Sequence, residues 1–151
     1  EACTLSKAAL VGINIQETLQ EYGNVTLKSF GSTIVQVIFN LLLNAADALD
    51  TSSTPNPTII IGAYKDDFYT ITISDNGPGI PTTIAPKIFD PFFTTKHDGT
   101  GLGLAISKEL IEKFGGQLKW TTTKSGTTFL IKLPIEICTK REGDSNECFA
   151  N

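Results

Sequence analysis

The sequence has no basic run and no stretch in which basic and aromatic residues interleave, and its formal net charge is -4. Both features argue against a nucleic-acid surface. A single histidine, His97, excludes a metal site built from several histidines. The three cysteines, Cys3, Cys138 and Cys148, sit near the ends without metal-ligand spacing. An odd, peripheral set of this kind does not make a disulfide framework and points to a reducing, cytoplasmic setting. Uninterrupted apolar runs are far too short to cross a bilayer, no signal peptide is visible, and there is no internal repeat. What is present is 151 residues, 40% hydrophobic and 19% charged, which suits one soluble domain with a sizeable core.

The chain is organised around residues 36–49, an apolar stretch of helical length with one polar stripe. Gln36, Asn40, Asn44 and Asp47 recur at steps of four, four and three, so they share a helix face. Asn is a mediocre helix former and its amide is costly to bury unpaired. Two stacked Asn residues therefore want partners, either a neighbouring backbone or a polar ligand. Around this helix the pattern predicts a helix over 5–22, a strand over 25–30 and strands over 58–65 and 68–75. Ser32 is a candidate N-cap. A helix from 101 or 102 to 114 stops at Gly115-Gly116, and strands over 117–123 and 127–133 close as a hairpin. Residues 138–151 are polar and aperiodic, an expected tail after a domain of residues 1–137. The expected architecture is a two-layer α/β (α+β) sandwich, with a mixed, mostly antiparallel sheet of about five strands on three helices.

Residues 76–100 form a loop too long to be an idle connection. At its start, strand alternation puts Asp75 on the Ile71/Ile73 side, toward the core. Asp75 either caps the turn Asn76-Gly77-Pro78-Gly79 or accepts from a ligand amine, such as that of adenine. Gly77 and Gly79 would allow a flat ring close to the backbone. Phe89, Phe92 and Phe93 are either core anchors or the hinge of a lid that brings Lys96 to a phosphate. Gly99, Gly101 and Gly103 alternate just before a helix, the setting of a phosphate cradle. The phosphate-loop pattern fails for want of Gly-Lys-Ser/Thr, and the dinucleotide pattern fails at Ile106.

Taken in order, the Asn-Asn helix, Asp-Asn-Gly-Pro-Gly, Phe-Asp-Pro-Phe-Phe-Thr-Thr-Lys, Gly-Thr-Gly-Leu-Gly-Leu and Gly126-Thr-Thr-Phe129 resemble the ATP-binding catalytic domain of bacterial sensor histidine kinases. That domain has the Bergerat fold shared with gyrase B, Hsp90 and MutL. The resemblance implies ATP and Mg²⁺ as ligands, with Asn44 on the metal and Asn40 supporting the metal or phosphate side. Asn40, Asn44 and Lys96 are the implied catalytic positions. It implies Asp75, Gly77, Gly79 and Ile80 beside the base, and Phe89, Thr95 and Lys96 in the lid. Gly99, Thr100, Gly101, Leu102, Gly103 and Leu104 would cover the phosphates, with Thr127 or Thr128 near the adenine. Two departures stand out. Asp47 occupies a position where many sensor kinases carry a basic residue, and Asn40 replaces the Glu that activates water in the hydrolysing members. The chain thus reads as a phosphoryl donor. His97 lacks the continuation of a phosphoacceptor helix and reads as a solvated loop residue. The acceptor would be a dimerisation and phosphotransfer hairpin of the same homodimeric kinase, with a response regulator downstream. An anti-sigma-type serine kinase, a stand-alone ATPase and a degenerate nucleotide-sensing or docking module are the rivals. Placement is cytoplasmic, including the cytoplasmic part of a membrane-bound sensor.

Overall fold

A computed structural model describes residues 10–19, 31–97 and 99–135. The expected strand over 25–30, the tail over 138–151 and all three cysteines lie outside the described residues.

The first described element corrects the expected helix over 5–22: Asn14–Leu19 is a strand, β1. Ile13 and Ile15 alternate about Asn14, and Ile15 comes into register with Ile59. The helical spacing of Leu10, Ile13 and Glu17 is a weaker signal than this alternation plus an available sheet edge. Pairing satisfies the backbone, beginning with Asn14 N donating to the Pro57 carbonyl at 2.8 Å. Leu10 and Ile13 then pack on the core from the loop before it.

Helix α1 follows as Gly31–Thr51, so Ser32 lies inside its first turn. Strands β2 (Thr58–Lys65) and β3 (Phe68–Asp75) form the expected hairpin. A short 3-10 turn, Ala85–Lys87, interrupts the long loop. Helix α2 (Gly103–Glu112) precedes the closing hairpin of β4 (Gln117–Thr123) and β5 (Gly126–Pro134). The sheet order is β1-β2-β3-β5-β4, with β1 parallel to β2 and every other pair antiparallel. The parallel pair is a consequence of α1, which carries the chain across the sheet between β1 and β2. The described residues thus hold two α-helices rather than three.

One sheet face carries both helices. α1 lies over β2 and β3, α2 over β4, and the helices touch each other. Between the layers sit Val37, Leu41 and Leu49 of α1, Ile111 of α2, and Ile59, Ile73, Ile131 and Leu133 of the sheet. Each contributes roughly 1.5–3 kcal/mol by burial. By length and composition α1 would pass for a membrane span. Its buried residues instead meet the sheet, and its polar stripe meets the loop and α2. β5 alternates buried and half-buried residues throughout, which sets Phe129, Ile131 and Leu133 inward. In β3 the apolar odd positions face the helices, and the hydroxyl-bearing even positions face away.

Candidate functional site

The site is built along one face of α1. Asn40, Asn44 and Ala48 follow at steps of four, each one turn beyond the last, so the three span ~12 Å. Each meets a different part of the molecule.

Asn40 meets the start of α2. Its Nδ2 donates to the buried Ser107 hydroxyl at 2.9 Å. A Cβ on Gly103 would meet Asn40 Oδ1 at 2.4 Å, so any larger residue there would displace the Asn40 amide. Asn40 thus docks α2 on α1, and half of its amide is committed to the fold. The N-cap of α2, Leu102, makes no side-chain cap bond. The first amides of α2 are therefore open to an anion, and the helix dipole favours one there.

Asn44 meets the loop. Lys96 Nζ donates to Asn44 Oδ1 at 2.9 Å and to Asp47 Oδ2 at 2.5 Å. These residues are about fifty positions apart in sequence, and the fold brings them together. Lys96 is itself held by a local turn, its backbone N donating to Thr94 Oγ1 at 3.0 Å. The loop is anchored at its near end by Ile88, which is buried, and Phe89, which packs on the core. Phe92 points to solvent, 74% exposed, in a left-handed conformation with φ of 67°. Gly101 presses on it: a Cβ there would meet the Phe92 backbone at 2.3 Å. The phenylalanines therefore divide, Phe89 serving as anchor and Phe92 standing free of the core.

Ala48 meets the end of β3. Gly77 approaches closely, since an added Cβ would lie 3.8 Å from the Ala48 Cβ and 2.9 Å from Asp75 Oδ1. Asp75 does cap its turn, Gly77 N donating to Oδ1 at 2.9 Å. The same oxygen accepts from Thr127 N at 3.2 Å. Both bonds fall on Oδ1, so they orient the carboxylate with Oδ2 as its remaining acceptor. The capping and ligand readings of Asp75 are thereby compatible. Burial pushes its carboxyl above the ordinary carboxylate range, and the Gly77 and Thr127 amides pull it partly back.

The Gly-Pro-Gly turn packs on the closing hairpin. Ile80 N donates to Thr122 Oγ1 at 2.8 Å, and a Cβ on Gly79, whose φ is +75°, would lie 1.9 Å from the Thr123 carbonyl. The close approach that requires Gly79 is therefore internal. Gly126 is equally confined, with Asp75 O 2.0 Å from where its Cβ would be.

Of the residues expected from sequence, Asn40, Asn44, Lys96, Gly103 and, one turn on, Asp75 with Gly77 line the α1 face. Gly99 is packed on Thr94, and Thr100 accepts from Leu102 N at 3.4 Å. Thr95 is exposed, and Leu104 packs on the core. Phe89 and Leu102 line a groove with Phe92 and Ile106 on the outer side of α2. Thr128 is not brought to Asp75. Its hydroxyl bonds Ser74 Oγ at 2.8 Å on the far face of the sheet, and Thr127 takes the inward place. Strand alternation from Phe129 could have shown this. Sequence reasoning also missed Ser107 and Thr122, both of which hold site elements; neither belongs to a motif.

Comparisons with known proteins identify the family and the fold. Residues 31–137 match the family described as histidine kinase-, DNA gyrase B-, and HSP90-like ATPase. Among curated proteins, the chain is 44% identical over 101 residues to the signal transduction histidine-protein kinase AtoS of Escherichia coli, covering 66% of this chain and 16% of that one. It is 39% identical over 109 residues to the C4-dicarboxylate transport sensor protein DctB of Rhizobium meliloti, covering 71% and 17%. The chain therefore spans about a sixth of the length of these relatives. Among solved structures, the catalytic domain of histidine kinase ThkA superposes with a TM-score of 0.73 at 29% identity, covering 88% of this chain and 87% of that one. A mycobacterial sensor histidine kinase, MprB, gives 0.69 at 29%, covering 88% and 89%. The chain belongs to the histidine kinase-, DNA gyrase B- and HSP90-like ATPase family, as an ATP-binding catalytic domain of the sensor histidine kinase kind.

Proposed function

We propose that the α1 face binds Mg²⁺-ATP, and that the domain donates the γ-phosphoryl group to a histidine on a separate dimerisation and phosphoacceptor hairpin. One observation carries the reading. α1 meets, one turn apart, an open helix N-terminus at Asn40, an ammonium-bound amide oxygen at Asn44 and an oriented carboxylate beside Ala48. Phosphates, cation and base amine need these partners in this order.

Asp75 Oδ2 would accept from the exocyclic amine of adenine. The residues Gly99, Thr100, Gly101, Leu102, Gly103 and Leu104 would cover the phosphate end, and Lys96 would add charge there. The donor set suits Mg²⁺: Asn44 Oδ1 is an amide oxygen with a second lone pair beside its bond from Lys96 Nζ, and Mg²⁺ takes one or two protein oxygens with phosphate and water completing its shell. Among the described residues there is no group of three His, Cys, Asp or Glu able to hold a metal without a ligand's oxygens. Asn44 would hold Mg²⁺ beside the phosphates, where it would supply positive charge against the charge that develops in transfer. Transfer breaks the bond between Pγ and the bridging oxygen of ADP and forms a P–N bond on the acceptor imidazole, whose proton is released. Asn40 cannot take a proton, so water is not activated at this position. The whole protein is read as a cytoplasmically facing homodimer that passes the phosphoryl group to a response regulator.

The first test is calorimetric titration of ATP, with and without Mg²⁺, on the chain and on Asp75→Asn. Mg²⁺-assisted binding that is lost in the variant supports the site. Supplying the phosphoacceptor hairpin should then yield acid-labile, base-stable phosphohistidine. Label appearing as phosphoserine would transfer the reading to a serine kinase.

A further inference from the structure

Asp47 has no place in the nucleotide site, yet it lies three residues beyond Asn44 on the same face of α1. A carboxylate there repels a triphosphate, so its presence calls for a physical reason. Geometry supplies one. Asp47 Oδ2 and Asn44 Oδ1 hold the same Lys96 ammonium, at 2.5 Å and 2.9 Å. A lysine is a point charge on a flexible stem, and two acceptors on a rigid helix give it one location. The stem's origin is restrained as well, by the Thr94 hydroxyl on the Lys96 backbone.

We infer that Asp47 is a positioning residue: it draws the Lys96 ammonium onto α1 beside Asn44, so that the positive charge serving the phosphates is mounted on the loop rather than on the helix. The inference rests on the triphosphate reading of the site. It makes placement of the loop and neutralisation of phosphate charge a single event. Both side chains are nearly half exposed, 44% for Lys96 and 48% for Asp47. An ion pair so exposed is too weak to lock the loop against a ligand, and it suffices to bias where a flexible cation rests.

The test is Mg²⁺-ATP and Mg²⁺-ADP affinity, by calorimetry, for the chain, D47A, K96A, D47A/K96A and D47K/K96A, with thermal melts to show that each variant folds. D47A should weaken ATP about two- to fivefold and ADP less, narrowing the preference between them. K96A should do the same, and D47A/K96A should be no worse than K96A. D47K/K96A, with the ammonium on α1 itself, should restore the preference for ATP. A burial or packing role for Asp47 would not move that ratio or be rescued in this way. D47A binding ATP as well as or better than the native chain, while Asp75→Asn still abolishes binding, overturns the inference and leaves the nucleotide reading intact. A native chain that binds no Mg²⁺-ATP overturns both.

Discussion

At Asp75, burial and hydrogen bonding act in opposite directions. Removal from water disfavours the charged form, and the Gly77 and Thr127 amides favour it; burial prevails, so the carboxyl titrates above its ordinary value. The folded chain therefore holds this proton at pH values where the unfolded chain has released it. Its contribution to stability is fully present below the unfolded value, declines as pH rises toward the raised folded value, and is level above that. Ligand binding has the opposite dependence, because an amine needs the carboxylate as acceptor. ATP affinity should fall on acidification through the raised Asp75 value. Titrations of the native chain across an acidic pH series check this; an affinity that does not change on acidification would remove Asp75 from the binding step. Asn40 offers a second residue-level test. Asn40→Ala leaves the buried Ser107 hydroxyl without this donor and should cost about 1–3 kcal/mol in denaturant unfolding. A change within error would mean that water replaces the bond at no cost.

Among the elements, the loop between β3 and α2 is held by close contacts. Ile88 and Phe89 tie one end to the core, and Gly101 lies on the Phe92 backbone at the other. Phe92 occupies a left-handed conformation that a bulky residue adopts only under constraint, and Gly101 also has a positive φ, of 66°. Gly101→Ala should destabilise by roughly 1–3 kcal/mol, since it adds a clash to an unfavourable φ. Phe92→Gly should relieve strain, with little packing to lose because the ring is exposed. Thermal unfolding of the two variants should move in opposite senses, or at least differ by several degrees. Equal shifts would show that this contact does not hold the loop.

For the whole molecule, the proposed site would bind and orient ATP with no base for water at position 40. Asn40 is acceptor and donor but never a proton sink, and its Nδ2 is committed to α2. The isolated chain is therefore expected to bind ATP with negligible release of phosphate, and turnover to appear only with an acceptor hairpin. A coupled phosphate-release assay decides between this and a self-contained ATPase, for which steady hydrolysis by the chain alone would be required.

Much of this was legible in local pattern. Alternation in Phe68–Asp75 and Gly126–Pro134, and the four-residue stripe in Gly31–Thr51, gave element type and inward face, because burial on one side imposes the period directly. The ordered motifs gave the family, since the residues that hold a nucleotide must be of particular chemistry at particular turns. Other features depended on partners distant in the chain. Asn14–Leu19 is a strand because β2 offers an edge, which no local window contains. Asn40 faces Ser107 and Asp47 faces Lys96 because α2 and the loop fold back onto α1. Gly79 is confined by the Thr123 carbonyl of the closing hairpin. Sequence alone thus determined which faces are apolar and which polar residues share a face, these being properties of short-range geometry. Tertiary structure alone decided which polar group satisfies which, because a hydrogen bond or ion pair forms only between groups that the packed core has already brought within reach.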